Sequence, residues 1–496
     1  MAVTVGASRL GLGVVRRLPA EARPLIRPGT VPAGMVHLGL GAFHRAHQAV
    51  YTEQAVALAG GDWGVVGVAP RNAALVAALS DQDNLFSVST LSATDRRTRV
   101  VGSLAGVRLA AADPQAVVAV LADPAIRVVT LTVTEKAYQL DPAAGTLRPD
   151  ADLVADLTTD RPPATVPGLL IRGLLARAAA DAGPIALVSC DNLPANGRRL
   201  RGLVTQCMAY AGVPGRVVDW VEAQVGFPGT MVDRIVPAST PETLTAAHRA
   251  LGVEDLAAVA AEPYSQWVIE DDFPGGRPAW DRAGAVLCAD AGPWERLKLR
   301  ALNGVHSGIA YLGALAGCET IAETLALPHL DTVLRRLIAE DVAASFEPPE
   351  GVDVVGYGEQ VLERFGNPAI RHRTLQVAMD GSQKLPQRIL HTIADLRAAG
   401  RPARWATLVV AAWIRFAQGS ADDGRDLPLD DPLAAVIRTA LAAAPQTPAG
   451  AVEAILGLDE VVPPEVAADE QVRADVVAWL TDLHRHGVPT TLAGAV

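Results

Sequence analysis

The chain is 496 residues long and half apolar, with 43 Lys plus Arg against 54 Asp plus Glu and a formal net charge of −11. That length predicts two or three domains with ample cores, and the acidic balance argues against nucleic acid as the main partner. No uncharged apolar run reaches the ~18–20 residues that span a bilayer, and the N-terminal Arg residues follow the apolar part, the wrong order for a secretory signal, so no membrane partner is expected.

In chain order, residues 1–30 read as a loose lead-in with several Pro and Gly. Met35–Gly41 is a short apolar strand ending in glycines, and Ala46–Leu58 has helical character. Trp63–Ala69 is a second apolar strand. Asn84–Leu91 and Thr98–Val101 flank the polar turn Ala93–Arg96, which predicts a hairpin. Ile126–Thr134 and Ile185–Cys190 are further buried strands, each followed by polar residues. Strands alternating with helices predict an α/β domain with a largely parallel sheet. Beyond about residue 290 strand-like runs become rare, and Leu330–Phe346, Arg401–Gln418 and Gln471–Arg485 carry helical spacing. The expected division is therefore 1–290, α/β, and 291–496, mostly α-helical, with the boundary near Ala289–Pro293. The cysteines Cys190, Cys207, Cys288 and Cys318 form no CxxC pair, which predicts a reduced, cytoplasmic setting.

The segment VHLGLGAFHRAH, residues 36–47, closes a strand on Gly39 and Gly41 and enters a helix. That geometry lets the backbone approach a pyrophosphate with a helix N-terminus behind it. An ordinary strand–turn–helix carries the same pattern, and the third glycine of the usual fingerprint is replaced by His44. The second strand runs into Pro70, Arg71 and Asn72 with no acid for an adenosine ribose; Arg71 could face a 2′-phosphate, which leaves NADP open.

Only three lysines stand in the chain, Lys136, Lys298 and Lys384; the other 40 of the 43 basic residues are Arg. Arginine stays protonated, whereas a desolvated lysine can be tuned toward neutral pH. A lysine kept against such a bias is a candidate for acid–base chemistry. Lys298 lies in WERLKLRALNGVHS with Asn303 and His306, and Asn192 follows a strand in SCDN. Reduction of a ketone needs a proton donor and hydrogen-bond donors where the alkoxide charge grows, and these side chains supply both. On one straight α-helix Lys298 and His306 would differ by about 80° and about 12 Å in rise; the alternative is a helix that begins after Lys298.

Together with GLGAFHRAH, TLTVTEKAY, SCDN, MVDRIVP and DGSQKLPQR, the Lys298 segment resembles the polyol-specific long-chain dehydrogenase/reductase family, also called the mannitol dehydrogenase family. The resemblance runs from about residue 35 to 420. It implies a Rossmann-type N-terminal domain, a helical C-terminal domain, NAD as cofactor and no zinc. It further implies Lys298 as general acid/base, Asn192 and Asn303 as oxyanion donors and His306 against substrate. Val36, Leu38, Gly39, Leu40, Gly41, Ala42, Phe43, His44, Arg45 and Glu135 would line the NAD site, and Asp233, Arg373 and Lys384 would bind substrate. TEKAY, EPYSQWVIEDDFPGGRPAWDRAGA and NPAIRHRTLQVAMDGSQKLPQR look most like members that interconvert D-fructuronate and D-mannonate. Mannitol/fructose and tagaturonate activities are the alternatives within the family. Ala137 and Leu375 depart from its pattern, where Gly and Trp are usual. A silent NAD-binding sensor would not need Lys298, Asn192, Asn303 and His306 together.

Arg371, His372, Arg373, Lys384 and Arg388 crowd one region, which suits a carboxylate-bearing sugar acid better than a neutral polyol; a solvated basic patch is the plainer reading. Gly381 and Pro386 are expected to interrupt any helix there. Glu270, Asp271 and Asp272 fit a structural turn better than a metal site, and Cys190 fits buried filler better than a nucleophile.

Overall fold

The computed structural model describes residues 8–141 and 144–496. They divide into two units, one ending at Ala291 and one starting at Gly292.

The first unit is built on a six-stranded parallel sheet. Its strands are β1 (Ala33–Leu38), β2 (Gly64–Ala69), β5 (Leu104–Leu109), β6 (Val128–Leu131), β7 (Ile185–Ser189) and β8 (Val225–Gly226), in the order β5-β2-β1-β6-β7-β8. This is the doubly wound dinucleotide-binding order, with its reversal between β1 and β6. The central strands are buried on both faces, which is why they read as continuous apolar runs without alternation. One face packs Met35, Val65, Val128 and Ala186 against Tyr51, Trp267 and Trp280; the other packs Val36, Leu38, Val129 and Leu187 against Leu121, Leu170 and Leu174. Each Val, Leu or Met side chain among them contributes roughly 1.5–3 kcal/mol of burial.

Two small sheets are added. The hairpin β3 (Phe86–Leu91) and β4 (Arg96–Val101) is antiparallel, as its turn predicts, and β10 (Val259–Ala261) joins β3 in parallel. The strands β9 (Thr230–Asp233), β11 (Gln266–Glu270) and β12 (Val286–Cys288) form the other, in the order β12-β11-β9. The helical stretch after β1 is two helices, Ala42–Ala46 and Gln48–Ala59, separated at His47, whose backbone (φ −124°, ψ −89°) leaves the helical region.

The second unit is helical among the described residues, with extended pairing limited to isolated bridges. Two expectations need correcting. The chain around Lys298 is neither one straight α-helix nor a helix that starts after the lysine. An α-helix Gly292–Leu297 passes into a π-helical stretch Lys298–Gly304 and on into α-helix Val305–Leu315. Pro386 does not interrupt a helix either: helix Thr374–Ala378 does end before Gly381, with Asp380 left-handed (φ 56°) between them, but Gly381–Leu385 continues through the π-helical stretch Pro386–Leu390 into His391–Ala398. Pro386 has no N–H and would crowd the carbonyl of Ser382 in an α-helix. The wider π turn that begins at this residue relieves that clash without ending the helix.

Candidate active site

In the first unit a cleft of about 1120 Å³ opens at the carboxyl ends of β1, β2, β5 and β6, where the strand order reverses. Gly39 sits on its floor with φ +97°, and a Cβ there would collide with the carbonyl oxygen of Thr132. Only glycine lets β1 turn this close to β6. The loop is held by a short relay. His37 bonds Thr130 through Nδ1 (2.8 Å) and Thr132 through Nε2 (2.9 Å), and the Thr132 hydroxyl donates to the Gly39 carbonyl (3.0 Å).

His44 takes the position of the missing third glycine and stacks on His37 at 3.5 Å between ring centroids. The ring fills the gap that a close helix–strand approach would otherwise abolish. Burial, then the neighbouring His37, holds His44 well below the usual imidazole range, so it is neutral. Arg45 is buried and donates to the carbonyls of Gly41 and Ala257. The side chains of Val36, His44 and Arg45 are thus taken up by the unit's own packing, while Leu38 and Gly39 line the cleft. Leu40 is buried against the sheet, and Ala42 and Phe43 pack partly buried on the same core. Arg71 lies exposed on the cleft wall and Asn72 caps the following helix, accepting from the Leu75 amide at 3.0 Å.

The far wall of the cleft is the segment Thr134–Lys136. Thr134 has φ 72° and ψ 157°, a region that costs a non-glycine residue roughly 1–3 kcal/mol. Asp191 holds it there. Its buried carboxylate accepts from the amides of Val133 (3.1 Å) and Thr134 (2.8 Å) and from the Tyr138 hydroxyl (2.8 Å). Sequence reasoning overlooked Asp191; its place between Cys190 and Asn192, just past a buried strand, was the available signal. Asn192 is exposed beyond β7, Glu135 is exposed beside Thr134, and Asp233 is buried at the end of β9. The acids once weighed as metal ligands have structural partners. Glu270 accepts from Gly229 and Ala291, Asp271 pairs with Arg277, and Asp272 accepts from Phe227.

In the second unit Lys298, Asn303 and His306 are all buried, and all lie on or just after the π-helical stretch. An α-helix would set Lys298 and Asn303 about 140° apart. The i→i+5 closure of a π turn brings residues five apart toward one side. Arg300, in the same stretch, is tied by the Ser345 carbonyl at 2.8 Å and by Asp395. This π stretch and the one at Pro386–Leu390 meet at Gly304, where a Cβ would lie 2.7 Å from the Arg388 carbonyl oxygen. Among the described residues, the Asn303 Nδ2 and His306 Nε2 have no hydrogen-bond partner.

His306 stacks on Phe365 (4.3 Å) and meets His372 edge-on (4.9 Å). Burial holds it well below the usual imidazole range, and His372, Arg388, Lys384 and Arg364 push the same way. Burial also lowers His372 and Lys384, and brings Arg388 down to about 10. Lys384 donates to the Met379 carbonyl (2.6 Å) and lies 3.5 Å from Asp380. Arg388 donates to Ser307 at 3.1 Å. Folding thus splits the basic cluster. Lys384, Arg388 and His372 gather at His306, joined by Arg364, which the sequence reading did not single out, while Arg371 and Arg373 are exposed.

Residues 33–282 match the mannitol dehydrogenase Rossmann domain and residues 290–482 the mannitol dehydrogenase C-terminal domain. The chain belongs to the mannitol dehydrogenase family. It is 40% identical to D-mannonate oxidoreductase of Escherichia coli over 93% of this chain and 94% of that protein. It is 36% identical to mannitol 2-dehydrogenase of Cereibacter sphaeroides, over 95% of this chain and 98% of the relative. A solved ternary complex of Pseudomonas fluorescens mannitol 2-dehydrogenase with NAD and D-mannitol superposes with a TM-score of 0.84 at 33% identity, covering 98% of this chain and 99% of that one. This family membership makes the protein an oxidoreductase, and the Rossmann-type unit followed by a helical unit is its fold. No helix among the described residues is long and apolar enough to cross a membrane.

Proposed function

We propose that the protein is an NAD-dependent, zinc-independent ketone reductase that interconverts D-fructuronate and D-mannonate. The observation that carries this reading is the gathering of Lys384, Arg388 and Arg364 on the buried, neutral His306. A hexuronate brings a carboxylate to such a site and a hexitol does not. The relative named D-mannonate oxidoreductase supports it.

Residues 1–290 act as the nucleotide-binding domain and 291–496 as the substrate domain. The first unit fits a dinucleotide: the reversal-point cleft, the bare Gly39 turn and the strained Thr134 wall leave backbone free to approach a pyrophosphate. NAD(H), when bound, gives or takes the hydride at the carbonyl carbon. Lys298 gives the proton to the ketone oxygen. Asn303, through its unpartnered Nδ2, and Asn192 donate to that oxygen as its charge grows. His306 meets a substrate hydroxyl through Nε2, and Asp233 accepts from another. Lys384 or Arg373 pairs with the carboxylate; the burial of Lys384 favours it.

The test is efficiency with NADH on fructuronate and on fructose, for wild type, Lys384→Ala and Arg373→Ala. Wild type should favour fructuronate widely. At least one substitution should cost about 10–150-fold on fructuronate and far less on fructose, the value of one charge-assisted hydrogen bond. Preference for fructose would hand the reading to mannitol 2-dehydrogenase. Run on protein dialysed against EDTA, the same assay should keep full activity; activity restored by a divalent ion would overturn zinc independence.

A further inference from the structure

A second cleft, within the unit 292–496, shares no residue with the Lys298 site. It encloses about 790 Å³ between the end of helix Arg404–Ala417, helix Ala434–Ala443, the start of helix Pro448–Leu456 and helix Glu470–Ala495. Its permanent charges are of one sign: Arg415, Arg438 and Arg485, with no Asp or Glu among the lining residues, while burial and then Arg415 hold the lining His484 below the usual imidazole range. This runs against the balance of a chain with net charge −11. Much of the guanidinium donor capacity is left over. Arg415 is held through one nitrogen by the Ser420 carbonyl (2.7 Å) and hydroxyl (3.2 Å), and its Nε is buried without a partner among the described residues. Arg438 gives one nitrogen to the Leu429 carbonyl. Asp422, the acid that bears on Arg415, spends its carboxylate on the Val488 amide at 2.7 Å. Thr447 and Pro448 bring the start of a nine-residue helix to the same cleft, adding its positive end.

The remaining lining describes the rest of the ligand. Gln418, Ser420, Gln446 and Thr481 offer amides and hydroxyls, and no Phe, Tyr or Trp stands among the lining residues. The volume falls within the roughly 300–1,000 Å³ of small-molecule sites and exceeds what inorganic phosphate needs. We propose that this cleft binds the phosphate monoester of a sugar or polyol. The dianion pairs with the forked donors of Arg415, Arg438 and Arg485, and the hydroxyls meet the amide and hydroxyl side chains.

Calorimetric titration of the full chain, with no nucleotide or ketone present, tests this independently of the reductase reading. The probes are glucose 6-phosphate, inorganic phosphate and glucose. Glucose 6-phosphate should bind at least about 10-fold more tightly than either fragment. Arg438→Ala and Arg485→Ala should each weaken it about 10-fold. Both positions are exposed, so circular dichroism and ketone turnover should stay at wild-type values. Glucose 6-phosphate that fails to bind, that binds no better than inorganic phosphate, or whose binding survives both substitutions would overturn the proposal.

Discussion

At the scale of single residues, chemistry turns on which cations can give up a proton. Lys298 is buried, as is Asn303, in a chain where 40 of the 43 basic residues are arginine. Lys298→Arg should therefore be nearly as damaging as Lys298→Ala, with at least a ~10²-fold loss of turnover, because arginine keeps charge yet cannot act as the acid. Near-normal turnover of the arginine variant in a single-turnover assay would remove Lys298 from the proton path. Residue types were the most legible part of the sequence, since Lys298, Asn303 and His306 stand within nine positions and fold into one buried stretch. What could not be read was how folding divides neighbours. Arg373 and Lys384 look equivalent in sequence, but one is exposed at the start of a five-residue helix and the other is half-buried, tied to the Met379 carbonyl and Asp380.

At the scale of elements, the strands β1, β2, β6 and β7 were legible because a sheet covered on both faces demands apolar runs, whereas the half-exposed edge strand β5 and the two-residue β8 were not singled out. The short strands β9 to β12 were not, since each is three to five residues long and pairs over long separations. The π stretches were not legible either. An i→i+5 closure has no periodic signature, and Pro386 reads as a breaker although the helix passes through it. Their mutual packing at Gly304 gives a prediction. Gly304→Ala should cost about 1–3 kcal/mol, because the new methyl meets a backbone carbonyl that cannot move without the helix Pro386–Leu390. Melting temperature and turnover should fall together; an unchanged melting temperature would show that the two helices have room to part.

At the scale of the whole molecule, stability should depend on one buried carboxyl of the first unit. Glu53 is buried in the first unit, accepts from the Gly102 amide at 2.7 Å, and is pushed up to about 7 by burial. The unfolded chain releases this proton near pH 4.5 and the folded chain near 7, so folding stability falls as pH rises through that window. Glu53→Gln keeps the acceptor and removes the titration. It should melt higher than wild type at pH 8, by roughly 2–4 kcal/mol of stability, and lose that advantage below about pH 4.5. Equal melting at both pH values would show that Glu53 is solvated in the folded protein. The graded burial of the three lysines has a practical use of its own. Lys136 is exposed, the Lys384 side chain is 27% exposed and Lys298 is 8% exposed. Reductive methylation with isotope-labelled formaldehyde would therefore mark these amines in that order and leave every arginine untouched. The lysine resonances would number three, beside that of the α-amine, and would report separately on the cleft wall, the cation cluster and the π-helical stretch of Lys298, giving a spectroscopic readout of each without any substitution.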